Sequence, residues 1–582
     1  MQILFYILFS ITPLIFWPKT SELFEFNKMI FVYMMTTLIV AVWLSRCLAA
    51  KKFIFRRTLL DIPLLIFLGS QILSTIFSID PRTSLLGYYS RFNGGLLSVI
   101  CYSLLYWAFV SNMDRKKTLY AIRYTLISAL MVSFIAILEH FNINITCALM
   151  GQGYSSCWVQ DVQNRVFSTL GQPNWLATYL VALLPISNYK FLKSKSYLWF
   201  GISILLFATL LFTKSRSGLL GLIFADLIFW GYVLLKYKKQ FLVQAITLNS
   251  LFVVLFFVFK TPIPYNPSPI TSNAPALETG GTESGTIRKI VWKGALKIWQ
   301  HYPILGSGVE TFAYSYYQFR PVEHNLVSEW DFLYNKAHNE FLNLAATTGT
   351  LGILSYLYLI VVIFVIFLKK PDIFSVSLAA GFSGILIANF FGFSTVTTQL
   401  EFFLFPALAI TLGVDKQRIG NSQKIYIVLF LFAITYPLYA IGKYWYADTL
   451  FAKGGPSNLQ KAITLSPNEP IFHSKLAEVS LSIPESQKAI NLSPANVNLL
   501  RSQAGMLLKL AQIDPKYLGF AKNTLITATQ MAPTDAKLLY NLALVYGRTG
   551  EMDESIRIIK KVLEMKPNYK EAQALYDTIG SP

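Results

Sequence analysis

Of the 582 residues, 54% are hydrophobic and 14% charged, against about 25% charged in soluble domains, which excludes a water-soluble enzyme for most of the chain. The net charge of +20 does not point to nucleic acid, because the basic residues gather in short loops between apolar runs, where they orient a chain in a membrane.

Residues 1–17 are apolar but lack a basic leader and a small-residue cleavage site, so they read as a first spanning helix rather than a signal peptide. Spanning runs of about 20 apolar residues continue at roughly 28–45, 59–77, 95–112, 119–140, 174–189, 197–213, 217–235, 241–259, 341–368, 373–394, 398–414 and 424–443. This predicts an all-α polytopic bundle of about 12–13 helices. Alternate loops carry the basic clusters: Arg46, Lys51, Lys52, Arg56 and Arg57, then Arg115, Lys116 and Lys117, then Lys190, Lys193 and Lys195. The series continues with Lys236, Lys238 and Lys239, then Lys369 and Lys370, then Lys416, Arg418 and Lys424. If every run spans, these loops share one side, and the positive-inside rule makes that side and the N-terminus cytoplasmic. The loops 78–94 and 141–173, the turn at Arg216, the long loop at about 260–340 and everything after 443 are then extracytoplasmic. A disulfide between Cys147 and Cys157 is permitted there; two separate thiols are the alternative.

At about Tyr444 the long apolar runs give way to short amphipathic helices. The domains therefore read as a membrane body, 1–443, and a helical repeat region, 444–582. Four stretches end alike, at Pro467, Pro494, Pro533 and Pro567, and the last two prolines are spaced at the tetratricopeptide period. The final unit fits best: Leu539, Leu542, Ala543 and Tyr546 on one helix, a turn at Gly550, Ser555 and Ile559 on the next. Stacked repeats of this kind often present a surface to a protein partner.

Charge at the outer membrane edge marks candidate chemistry. Arg216 stands in Lys214-Ser-Arg-Ser-Gly218, on the outer side against the positive-inside trend, and a guanidinium suits a phosphate because its fork binds two oxygens at once. Arg288 lies on a stretch whose Ile287, Val291, Ala295, Ile298 and Trp299 recur at helical spacing, an amphipathic helix suited to the membrane surface. His338 opens an outer-side apolar run. On a continuous helix, His338, Ala345 and Gly349 share one face with Gly352 close by, a small-residue stripe that admits a neighbouring helix. Histidine is the side chain that takes a proton near neutral pH.

His338-Asn339, nine residues, then Gly349-Thr-Leu-Gly352 resembles the signature of the O-antigen ligase/polymerase family. Ser215-Arg216-Ser217-Gly218, Arg288 with Trp292, Gly306-Ser-Gly308-Val-Glu-Thr-Phe312, Gly171-Gln-Pro-Asn174 after Arg165, and Arg91-Phe-Asn-Gly94 after Ser78-Ile-Asp80 are similar to it too. The resemblance covers roughly 30–450. It implies a GT-C-like glycosyltransferase of the bacterial inner membrane that moves a glycan from undecaprenyl diphosphate to an acceptor on a lipid, protein or glycan. It further implies that Arg216 and Arg288 bind the diphosphate and that His338 activates the acceptor hydroxyl, with Asn339, Ser215, Arg165, Arg91, Gly349 and Gly352 in support. The expected reaction is inverting and uses neither metal nor other cofactor, since arginines can match the charge of leaving diphosphate. A polysaccharide polymerase or a protein O-oligosaccharyltransferase fits the same residues. A transporter for the lipid-linked glycan calls for charges through the helix centres, and a membrane scaffold leaves the Arg/Arg/His set unexplained.

Overall fold

The computed structural model describes residues 1–194, 196–259, 282–369, 371–414 and 427–579. Lys195, Lys370, Lys416, Arg418, Lys424 and residues 260–281 of the long loop lie outside them, as do the side chains of Lys238 and Lys239. The elements among the described residues are helical, and each apolar run of the sequence falls on one. Glu25–Ala49, Arg115–His140, Arg216–Tyr237, Glu340–Leu368 and Ile373–Phe390 are long and apolar enough to cross a membrane, and shorter apolar helices such as Leu96–Asn112 and Val396–Leu412 accompany them. The protein is a multi-pass, all-α membrane protein with a helical repeat region.

The chain divides into two compact units. The first comprises Met1–Gly69, Tyr89–Tyr265 and Leu354–Gly442; the second comprises Ser70–Tyr88, Asn266–Ile353 and Lys443–Pro582.

In the first unit, Arg216–Tyr237 packs along Ile373–Phe390, which packs in turn on Pro173–Ser194. Small residues set these approaches. A Cβ on Gly381 would lie 2.1 Å from the Ala182 carbonyl oxygen, one on Gly221 2.9 Å from the Gly384 carbonyl oxygen, and one on Gly218 2.6 Å from the Ala177 methyl. Helices in lipid gain no hydrophobic drive from meeting, so close backbone approach supplies the association by van der Waals contact. Cys147 and Cys157 are disulfide-bonded.

In the second unit the repeat region is a run of helical hairpins from Pro456–Leu465 to Lys570–Ile579. The four similar endings share one geometry. Ser466, Ser493, Ala532 and Lys566 each stand just before a proline and leave their helix at φ between −132° and −147° and ψ between 65° and 81°. A following proline disfavours the α region, so each helix stops there. The last pair, Ala536–Arg548 and Met552–Met565, turns at Gly550 with φ +83°, and the Ser555 hydroxyl donates to the Ala543 carbonyl across it at 2.7 Å.

Candidate functional site

The second unit carries His338 and Arg288. His338 is not on the helix that the sequence suggested. That helix begins at Glu340, and His338 precedes it with φ +51°, a left-handed backbone rare for side chains other than Asn, Asp and His. Asn339 sits at the N-cap, its Oδ1 accepting from the Leu342 N–H at 3.1 Å. Asn343, one turn on and buried, accepts from the Ala337 N–H at 3.1 Å. The bend at His338 is therefore pinned on both sides by asparagine side chains.

The expected face of His338, Ala345 and Gly349 does not form either, because the helix breaks at Gly349, where φ is +65° and ψ −168°. That region is open essentially to glycine alone. The break frees backbone groups, and the segment 303–308 takes them up. Ser307 N–H donates to Ala346 O at 3.1 Å and Gly308 N–H to Thr347 O at 2.9 Å, while Thr350 N–H donates to Pro303 O at 2.8 Å. A Cβ on Gly349 would sit 2.3 Å from the Ile304 carbonyl oxygen, and one on Gly306 2.2 Å from the Thr347 carbonyl carbon. The two glycine motifs thus exist to let two backbones touch: the close neighbour is a loop, not a helix. Ser78-Ile-Asp80 belongs to the same arrangement, with Ile79 N–H donating to Ser307 O at 3.0 Å.

Arg288 rides on Ser284–His301, as the spacing predicted. The apolar face of that helix is covered by protein rather than laid on lipid: Ile287, Val291, Ala295 and Ile298 are buried with Phe312, Tyr316, Val327 and Tyr334. Tyr334 relates the two functional candidates. Its ring centroid lies 5.7 Å from that of His338, and its hydroxyl, held above the ordinary tyrosine range chiefly by burial and then by its hydrogen bond to Glu329, feels the Arg288 charge as an opposing influence. His324, whose ring centroid also lies near that of Tyr334, at 5.2 Å, is a different kind of histidine. It is buried against the Tyr316 hydroxyl at 2.8 Å, and burial followed by the nearby Arg320 charge presses its pKa down to about 3. It stays neutral at working pH. A buried ion pair that sequence reading missed, Lys336 with Glu310, ties the segment before His338 to the Gly306–Phe312 loop. Its partners are 26 residues apart, beyond any local spacing signal.

The first unit carries Arg216, Ser215, Arg165 and Arg91. Ser215 caps the helix that starts at Arg216: its Oγ accepts from the Gly218 N–H at 3.2 Å and donates to Asn174 Oδ1 at 2.8 Å. Arg216 is thus the first residue of a helix, exposed, where backbone N–H groups also point. Arg165 donates from Nε to the Thr213 carbonyl at 3.3 Å, and Lys214 meets Asn164. Arg91 stacks against Trp175 at 5.1 Å and Phe393 at 5.0 Å. Arg165, Lys214 and Arg216 therefore gather at one turn, while Arg91 joins them through Trp175, the neighbour of Asn174.

A family model described as O-antigen ligase matches residues 201–357, and one described as tetratricopeptide repeat matches residues 536–569. The first match takes in Ser215, Arg216, Arg288, His338, Gly349 and Gly352. The chain thus carries an O-antigen ligase domain and a C-terminal tetratricopeptide repeat. No curated protein matches the chain.

Proposed function

We propose, from this ligase domain in a multi-pass membrane protein, that the chain transfers a glycan from undecaprenyl diphosphate to an acceptor hydroxyl on the outer face of the inner membrane. In this reading the N-terminus is cytoplasmic and the repeat region extracytoplasmic, as the loop charges require. His338 is the base. Its neutral imidazole takes the proton of the acceptor hydroxyl while that oxygen bonds to the anomeric carbon. The carbon–oxygen bond to the diphosphate breaks in the same step, with inversion at the anomeric centre. Arg216 and Arg288 match the charge on the leaving diphosphate, and the reaction needs no metal.

The observation that carries this is the placement of His338. It is held in a left-handed bend, with Asn339 capping the helix after it and Asn343 binding the Ala337 N–H before it, beside the Tyr334 ring, whose hydroxyl also senses Arg288. Strained backbone of this kind persists where the surroundings over-determine it, which is common at reacting centres. The test is purified, membrane-inserted protein given a lipid-diphosphate glycan and defined acceptors, with products read by mass. A new glycosidic bond to a lipid, a protein or a second lipid-linked glycan supports transfer and names the acceptor. Movement of the donor across the bilayer with no new bond overturns it.

A further inference from the structure

The repeat region is occupied by the chain's own loop. Within the second unit, the segment 317–331, which leads into Tyr334 and His338, is bound along the repeats by polar contacts and aromatic faces. The Tyr317 hydroxyl donates to Asn498 Oδ1 at 2.8 Å, and its ring is buried in the repeat core. Thr534 binds the segment twice: its hydroxyl donates to the Arg320 carbonyl at 2.9 Å, and its carbonyl accepts from Asn325 Nδ2 at 2.9 Å. The Lys566 ammonium donates to the Asn325 carbonyl at 3.1 Å and lies 4.6 Å from the centroid of the Trp330 ring, which also meets Tyr569.

Asp535 is the electrostatic centre. It is buried at 3% exposure and faces two guanidiniums, Arg320 on the segment at 3.6 Å and Arg501 on the repeats at 2.6 Å. Arg320 in turn donates to Asn325 Oδ1 at 2.9 Å and the Trp330 carbonyl at 2.6 Å, which closes the segment on itself. Lys537 and Arg501 hold Asp331 at its far end. The segment, which includes the 3-10 turn Val322–Leu326, is thus held through its backbone carbonyls, a side-chain amide and charged side chains in series. It is covalently part of the chain, present at an effective concentration no separate ligand easily matches.

We infer that this face of the repeats works in cis. It holds the 317–338 segment so that His338 is placed for transfer, and Asp535, Arg320 and Arg501 are positioning residues. The inference rests on the reading of His338 as the base. The face that meets this segment is filled by the chain itself, so a protein partner would dock on another face of the repeats.

The test uses the full-length chain in membranes. Asp535→Asn removes the charge but keeps a residue that caps the helix beginning at Ala536. It is expected to raise hydrogen exchange across 317–338 and to lower the maximal transfer rate roughly tenfold to hundredfold, as a misplaced reacting group does, with donor KM little changed. In a His338→Ala background the same substitution should add almost no further loss, because the two act through one group. Lys537→Gln, at the more exposed end, should give a smaller effect of the same kind and serves if Asp535→Asn fails to insert. Unchanged exchange across 317–338 in both variants overturns the clamp whether or not the protein transfers glycan. A rate loss that adds in full to that of His338→Ala overturns the positioning role alone. If the wild-type protein transfers no glycan, the reading of His338 fails, while the exchange measurement still decides the clamp.

Discussion

The two compact units use close glycine contacts and buried charge in different places. In the first, spanning helices meet along seams of small residues, where Gly218, Gly221 and Gly381 bring backbones within contact, and buried charge enters at helix ends, where Lys28 donates to the Thr169 carbonyl and Glu25 accepts from the Val396 N–H. In the second, segments far apart in sequence are joined by buried charge and backbone hydrogen bonds: Lys336 with Glu310, Arg82 with Glu469, Asp535 with Arg320 and Arg501. The difference follows from the surroundings. Inside lipid a buried charge is costly and close packing is the main attraction. Where water is the alternative, polar partners can be exchanged for one another and used to fix a loop. The candidate catalytic histidine belongs to the second kind of structure, so its placement depends on specific pairs.

Glycine substitutions separate the loop-on-helix approach of the second unit from the helix-on-helix approach of the first most sharply. Gly349→Ala meets both a glycine-only backbone and an approach of 2.3 Å to the Ile304 carbonyl oxygen, and should cost roughly 2–6 kcal/mol from strain and overlap together. Gly381→Ala, helical but 2.1 Å from the Ala182 carbonyl oxygen, meets overlap alone and should cost about 1–3 kcal/mol. Thermal unfolding in detergent checks the order; equal costs would erase the distinction.

The second unit also carries an acid-sensitive group. His324 has a folded pKa of about 3, below the unfolded value of about 6.5, so the folded state binds fewer protons. Its contribution to stability is complete above pH ~6.5 and is lost as pH falls toward the folded value. His324→Gln should flatten the decline in melting temperature between pH 7 and 5; an unchanged slope would assign that decline to other groups. The smallest effect expected is that of Asn339→Ala. Loss of the cap to Leu342 is worth about 1 kcal/mol and should lower transfer far less than loss of His338. A loss as large as that of His338→Ala would give Asn339 a part in the chemistry.

Apolar length was readable throughout: each run of hydrophobic residues falls on a helix, because burial of a long apolar stretch leaves few alternatives. The turn that gathers Arg165, Asn174 and Ser215 was partly readable, since those motifs stood at the ends of successive helices. The setting of His338 was not. The sequence pattern continues in helical phase from His338 through Gly349, but the backbone leaves the helix at both residues. Gly349 does so because Pro303, Ile304 and the Ser307–Gly308 amides compete for its neighbours' hydrogen bonds, a contact between stretches some forty residues apart. Asn343 is a signal of that setting in the sequence: an amide among Phe341, Leu342, Leu344 and Ala345 needs a partner, and it finds the Ala337 N–H. The Asp535–Arg320 pairing had no local trace.

The central claim is that His338 takes the acceptor proton. It is measured most directly as the transfer rate of His338→Ala at saturating donor, in protein shown to be inserted and to bind donor as the wild type does. A loss of about 10²–10⁴-fold with donor binding retained is expected. Transfer by His338→Ala at the wild-type rate would contradict it.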